Sequence, residues 1–130
     1  MTTPRILVVD DEPNLSGLVR LFLERTQRFE VRTENRSALA LSAARQFQPD
    51  LILLDVDMPG KDGGDVAREI QGDAELCGVP ILFLTSLVST EDAGKGLIVR
   101  GGMRFLAKPV NPNILIDSID RVLAGEVQAA

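Results

Sequence analysis

Four short apolar runs recur along the chain, at positions 6–9, 51–54, 81–84 and 105–107. Each run is nearly continuous rather than alternating, which is the pattern of strands buried on both faces of a parallel sheet. A weaker stretch at 29–33 alternates apolar and polar residues, and it predicts one more strand at an edge of the same sheet.

Segments with helical spacing lie between these runs. Leu15, Leu18, Val19 and Phe22 follow the i, i+3, i+4, i+7 spacing of one helix face. Similar patterns predict helices at 36–47 and 65–71, and a last helix begins near an Asn-Pro pair at 111–112. Residues 89–92 have the form of a capping box, so we also expect a helix there. Its glycines, at 94 and 96, should make that fourth helix short or irregular.

Strands and helices therefore alternate, which predicts an α/β fold with a doubly wound, five-stranded parallel sheet and helices on both faces. The expected strand order is 2-1-3-4-5. The 130 residues fit one domain. We expect it to span residues 1–124, with a C-terminal tail at 125–130.

Composition excludes several classes of function. The net charge of −5 argues against non-specific nucleic-acid binding and against docking on an anionic membrane. No apolar run approaches the roughly 20 residues of a membrane span, and a cytoplasmic location is expected. The chain has no histidine, which excludes a histidine-centred base or metal site, and its single cysteine, Cys77, cannot form an internal disulfide.

Polar or charged side chains follow the ends of the predicted strands. They are Asp10 and Asp11, Asp55 and Asp57, Thr85, and Lys108. The carboxyl ends of parallel strands lie at one edge of the sheet, where open α/β sheets bind ligands. In the predicted order the first and third strands are neighbours, so Asp10, Asp11 and Asp55 should converge.

Three converging carboxylates repel one another, and one lysine does not neutralise them. Two like charges 4 Å apart repel by about 4 kcal/mol at an effective dielectric constant of 20. An all-oxygen site of this kind suits Mg²⁺, which is usually shared with a phosphate. We therefore expect Asp55 to be a nucleophile for a phosphoryl group, Lys108 to supply a positive charge, and the Thr85 hydroxyl to donate a hydrogen bond.

The same residues resemble the response-regulator receiver family over nearly the whole chain. The resemblance rests on the Asp10-Asp11-Glu12 triplet, on the segment from Asp55 to Gly60 with Asp62-Gly63, on Thr85-Ser86 and on the run from Phe105 to Pro109, in that order. It implies a flavodoxin-like fold. Ser86 and Arg104 depart from the commonest residues of that family.

The resemblance also implies a role for each site residue. Asp55 would be the phosphoacceptor. Asp11 and Asp55 would bind Mg²⁺ directly, Asp10 directly or through water, and Asp57 through its backbone carbonyl. Thr85 and Phe105 would form the switch pair, and the Lys108-Pro109 peptide bond would be cis.

The predicted function is that of a phosphoacceptor in a two-component His-Asp relay. The phosphodonor would be a sensor histidine kinase, a histidine phosphotransfer protein or a small phosphodonor. A downstream protein would bind the face formed by the fourth helix, fifth strand and fifth helix, with no direct contact to nucleic acid or membrane. The domain would not be an enzyme, apart from phosphoryl transfer onto, and hydrolysis from, its own Asp55.

Two alternatives remain open from the sequence. The Asp55-Val56-Asp57 strand end also resembles a haloacid-dehalogenase-type aspartyl phosphatase, in which the second aspartate is a general acid and base. A degenerate receiver would act only as a binding module. Turnover of a free phosphate ester would favour the first, and failure to label with a phosphodonor would favour the second.

Overall fold

The computed structural model describes residues 3–86 and 96–125, and within them it contains one six-stranded sheet with helices on both faces. In chain order the elements are β1 (Arg5–Val9), α1 (Pro13–Glu24), β2 (Glu30–Glu34), α2 (Ala40–Phe47), β3 (Leu51–Asp55), α3 (Gly63–Gln71), β4 (Ile81–Thr85), β5 (Ile98–Arg100), β6 (Met103–Ala107) and α4 (Pro112–Leu123). A short 3₁₀ turn, Ser37–Leu39, precedes α2.

The α/β prediction is confirmed. The sheet order is β2-β1-β3-β4-β6-β5, and all pairs except β5–β6 are parallel. The five predicted strands correspond to β1, β2, β3, β4 and β6 and follow the expected order, with β2 at an edge. Every residue of β3 and of β4 is buried, as expected for central strands covered on both faces.

Alternate strand residues supply two apolar cores, one on each face of the sheet. On one face the strands pack against α1 and α4, where Leu23 and Leu115 are fully buried. On the other face they pack against α2 and α3, where Ala44 and Ile70 are fully buried. None of the described helices is long and apolar enough to cross a lipid bilayer.

The segment before β6 differs from the sequence prediction. The capping box at 89–92 lies outside the described residues, and residues 98–100 form a strand antiparallel to β6 rather than a helix. Arg100 pairs with Met103 across a two-residue turn. Both turn residues, Gly101 and Gly102, have positive φ (58° and 75°), which only glycine adopts at little cost, and they therefore permit the tight hairpin.

The starts of α3 and α4 are set by side-chain caps. Asp62 accepts a hydrogen bond from the Asp65 amide, and the Asp65 carboxylate accepts one from the Asp62 amide, so α3 begins at Gly63, two residues earlier than predicted. Asn111 caps α4 in the same way, by accepting from the amides of Asn113 and Ile114. The predicted domain limits, 1–124 with a tail from 125, stay a prediction.

Candidate functional site

The parallel strands bring polar residues together at the carboxyl edge of the sheet. Asp10 follows β1, Asp55 ends β3, Thr85 ends β4, and Lys108 follows β6. The strand register aligns these ends, since Val9 is opposite Leu54 and Asp55 is opposite Leu84. The strand ends therefore lie side by side at one edge of the sheet, as predicted from the sequence.

Lys108 reaches across this edge to two carboxylates. Its Nζ donates a hydrogen bond of 2.8 Å to Asp55 Oδ1 and lies 3.6 Å from Asp10 Oδ2. Both aspartates are buried, with Asp10 0% and Asp55 1% exposed. Burial alone would lower the pKa of Lys108, but the hydrogen bond to Asp55 and the charges of Asp10 and Asp55 outweigh it and raise the pKa above its usual value. Lys108 is therefore a permanent positive charge beside Asp55.

Three carboxylates form an acidic cluster at the same point. One carboxylate oxygen from each of Asp10, Asp11 and Asp55 lies within 4.8 Å of the other two. Asp10 Oδ2 is buried and accepts no hydrogen bond from any residue in 3–86 or 96–125. Burial, joined by the charges of Asp55 and Asp11, raises the pKa of Asp10 to about 6. A buried carboxylate oxygen without a donor, in a cluster of hard oxygen ligands, fits a divalent cation.

Asp57 contributes to the site through its backbone. Its amide donates a 3.2 Å hydrogen bond to Asp55 Oδ1, the oxygen that also accepts from Lys108. These two hydrogen bonds to the same oxygen restrict the rotation of the Asp55 carboxylate. The Asp57 side chain is exposed, and its Oδ2 lies 3.5 Å from the Ser86 hydroxyl.

Thr85 and Phe105 lie on the adjacent strands β4 and β6, two register positions apart. Phe105 is opposite Phe83, and their ring centroids lie 5.4 Å apart. Since side chains alternate along a strand, Thr85 lies on the same face of β4 as Phe83. Thr85 is buried, and its carbonyl accepts a 2.8 Å hydrogen bond from the Lys108 amide. The Lys108-Pro109 peptide bond is cis, as the sequence resemblance implied.

Two residues that support the site were missed by the sequence analysis. Gly63 was given no role of its own at the site, yet its amide donates to the Val56 carbonyl, and a Cβ there would lie 2.5 Å from the Asp55 carbonyl oxygen. Asn35 was not singled out at all, yet its side chain donates to the backbone of Asp10. A glycine at a helix start was a weak signal for the first, and nothing in the local pattern pointed to the second.

The sequence of the chain also matches a known protein family. Residues 6–120 match the family model of the response regulator receiver domain. The chain belongs to the response regulator receiver family. Receivers are signalling modules of two-component systems, and the expected membership, fold and signalling class are thereby confirmed. The match favours the receiver over the haloacid-dehalogenase alternative.

The chain matches relatives of different lengths. The DNA-binding response regulator MtrA of Mycolicibacterium smegmatis is 39% identical over 112 residues, which cover 86% of the chain and 47% of MtrA. The chain thus spans about half the length of the MtrA proteins that it matches. Protein PilH of Pseudomonas aeruginosa is 34% identical over 121 residues, which cover 93% of the chain and 98% of PilH.

A solved structure gives the same picture of the receiver fold. The chemotaxis protein CheY4 of Vibrio cholerae superposes with a TM-score of 0.79 at 30% identity, covering 93% of this chain and 99% of CheY4. The acidic cluster of Asp10, Asp11 and Asp55 therefore lies on a fold shared with a chemotaxis response regulator.

Proposed function

We propose that this receiver accepts a phosphoryl group on Asp55 within a two-component His-Asp relay. The observation that carries the proposal is the 2.8 Å contact between Asp55 and Lys108 beside a cluster of three carboxylates. A carboxylate nucleophile needs positive charge around it, because phosphoryl transfer depends mostly on positioning and electrostatic stabilisation.

The transfer is a displacement at phosphorus. An oxygen of the Asp55 carboxylate forms the new P–O bond, and the bond from phosphorus to the donor breaks with its electron pair. The chain has no histidine, so a phosphohistidine donor belongs to a partner kinase or phosphotransfer protein, whose imidazole nitrogen keeps that pair and takes a proton from water. Lys108 offsets the charge that arrives on Asp55, and the Thr85 hydroxyl donates to an oxygen of the phosphoryl group.

The residues present fit a Mg²⁺ ion. The carboxylates of Asp10, Asp11 and Asp55 and the backbone carbonyl of Asp57 would hold it, with Asp10 bound directly or through water. Bound Mg²⁺ supplies positive charge facing the phosphoryl oxygens and reduces the repulsion within the acidic cluster. The same set would support hydrolysis of the aspartyl phosphate, which is the only turnover that we assign to the domain.

Output would follow from the switch pair. A phosphoryl group adds about −1.5 to −2 charge at neutral pH. Thr85 ends β4, which is next to the strand of Asp55, and Phe105 lies on β6, the strand after that in the sheet. We propose that these two residues shift the balance between conformations of one face of the domain. This face includes β6, α4 and the segment predicted as the fourth helix, and a protein partner would bind there. The expected absence of direct contact with nucleic acid stays a prediction, since some relatives are DNA-binding regulators.

The test is phosphorylation by acetyl phosphate in the presence of Mg²⁺, followed by intact-mass measurement. We expect one added phosphoryl group on the wild type, none on Asp55→Asn, and none on the wild type in EDTA. Asp57→Asn is the matched control, since only the backbone of Asp57 enters the proposal, and it should still be labelled. Equal labelling of Asp55→Asn would move the acceptor elsewhere, and an unlabelled wild type would indicate a degenerate receiver.

A further inference from the structure

Asn35 lies directly after β2 and contacts two other elements with its side chain. Its Nδ2 donates one 2.8 Å hydrogen bond to the carbonyl oxygen of Asp10 and another 2.8 Å hydrogen bond to the Ser16 hydroxyl in α1. An amide nitrogen carries two hydrogens, so these contacts use its whole donor capacity. Asn35 therefore bridges the ends of β1, β2 and α1 at the acidic side of the site.

Both acceptors require a donor at this place. A carbonyl oxygen only accepts, and the hydrogen of the Ser16 hydroxyl is directed to the Pro13 carbonyl, 3.2 Å away. Ser16 is 2% exposed, so water has little access to its oxygen. An aspartate of the same shape would present only acceptors to two acceptors. The contact is therefore specific for the amide of Asn35.

The Asp10 backbone is held on both sides by the end of β2. Its amide donates to the Glu34 carbonyl at 3.1 Å, and its carbonyl accepts from Asn35. The Asp10 carbonyl, the Asp11 amide and the Cα atoms of both residues belong to one planar peptide unit, so holding that carbonyl restrains the points from which both acidic side chains leave the backbone. The Asp10 carboxylate is further restrained by the Glu12 amide, which donates to Oδ1 at 2.9 Å.

We propose that Asn35 is a positioning residue for the Asp10-Asp11 pair, which it holds in the arrangement that a divalent cation requires. This inference rests on the proposed function, in which those carboxylates hold Mg²⁺. Removing a group that hydrogen-bonds to a metal ligand and orients it commonly weakens metal affinity by about 10- to 100-fold. Asn35 acts through the backbone of Asp10 and through α1, and does not itself contact the cation.

The experiment compares Asn35→Ala with Thr26→Ala, a control at the far end of α1. The Thr26 hydroxyl also makes two hydrogen bonds, to the Leu23 carbonyl and from the Arg28 amide, so the number of bonds lost is matched. Mg²⁺ affinity of the metal-free protein is measured by isothermal titration calorimetry, stability by urea unfolding, and the Asp11 amide signal by ¹⁵N NMR.

We expect Asn35→Ala to bind Mg²⁺ about tenfold more weakly than the wild type, and Thr26→Ala to bind it as the wild type does. The Asp11 amide signal should shift in Asn35→Ala alone. If Asn35→Ala does not fold, Asn35→Ser, which keeps one hydroxyl donor, should give an intermediate loss. Wild-type affinity in the Asn35 variants, or an equal loss in Thr26→Ala, would overturn the positioning role alone. A wild type that binds no Mg²⁺ would overturn the proposed function and this inference together.

Discussion

At residue 63 the first turn of α3 lies against the last residue of β3, and the gap admits no side chain. A Cβ on Gly63 would lie 2.5 Å from the Asp55 carbonyl oxygen and 2.8 Å from the Val56 Cα, both of which are backbone atoms. Neither can move without moving the proposed phosphoacceptor. The glycine is required by close approach rather than by an unusual φ.

Gly63→Ala should therefore destabilise the domain by about 1–3 kcal/mol, because the added methyl overpacks two backbones. It should also lower the rate of labelling by acetyl phosphate, since Asp55 must shift. Gly17→Ala in α1 is the matched control, because a Cβ there meets no atom within 4 Å, and it should stabilise the protein by up to about 1 kcal/mol. Urea unfolding measures both, and equal stability of the two variants would contradict the close-packing argument.

Between elements, an ion pair joins the last turn of α2 to the segment after α3. Arg45 Nε donates a 2.7 Å hydrogen bond to Asp73 Oδ2, and the Glu75 amide donates to Asp73 Oδ1 at 2.9 Å. The hydrogen bond from Arg45, followed by the one from Glu75, holds the pKa of Asp73 below its usual value. Asp73 thus fixes the loop that leads to β4 while it is ionised.

Arg45→Gln should make stability less dependent on acid pH. A carboxylate whose folded-state pKa is depressed stabilises the fold above its unfolded pKa of 3.8, and this stabilisation is lost as the pH falls through the folded value. The variant should therefore be less stable than the wild type at pH 7, and the difference should shrink below pH 3.8. Arg36→Gln, an equal charge change at an exposed residue, is the control. A constant difference from pH 7 to pH 2 would contradict the linkage.

At the scale of the whole molecule, the acidic cluster is assembled only by folding. Asp10, Asp11 and Asp55 come from the ends of β1 and β3, and Lys108 from the end of β6, so the site couples three strands. Without a cation, the buried Asp10 carboxylate lies among like charges and opposes folding. A cation that binds only the folded state stabilises it by mass action.

Asp10→Asn should reverse the order of stability with Mg²⁺. Without the cation the variant should be more stable than the wild type by about 1–2 kcal/mol, a fraction of the roughly 4 kcal/mol between like charges 4 Å apart at a dielectric constant of 20. Mg²⁺ at 100 times its dissociation constant should stabilise the wild type by about 2.7 kcal/mol, and the variant much less.

Asp117→Asn, the same change at an exposed residue of α4, controls for net charge in this comparison. Thermal unfolding with and without Mg²⁺ measures all three proteins. If the Asp10→Asn variant without Mg²⁺ is less stable than the wild type without Mg²⁺, the charge of Asp10 does not destabilise the folded state.

The sequence by itself determined the five parallel strands, their order and the residues at their carboxyl ends. Continuous apolar runs are local signals of buried strands, and a parallel sheet puts every strand end at one edge, so Asp10, Asp55 and Lys108 could be grouped without coordinates. The pattern of apolar residues was enough to place these strands, because burial of a strand on one or both faces directly determines which of its positions are apolar.

Only the tertiary structure decided how the site is supported. The contact of Asn35 with Asp10 joins residues 25 positions apart, and the contact of Gly63 with Asp55 depends on how a helix start meets a strand end. Neither leaves a periodic trace in the sequence. The strand at 98–100 was also missed, because its pairing with β6 depends on a tight turn at Gly101 and Gly102 rather than on the pattern of its own three residues.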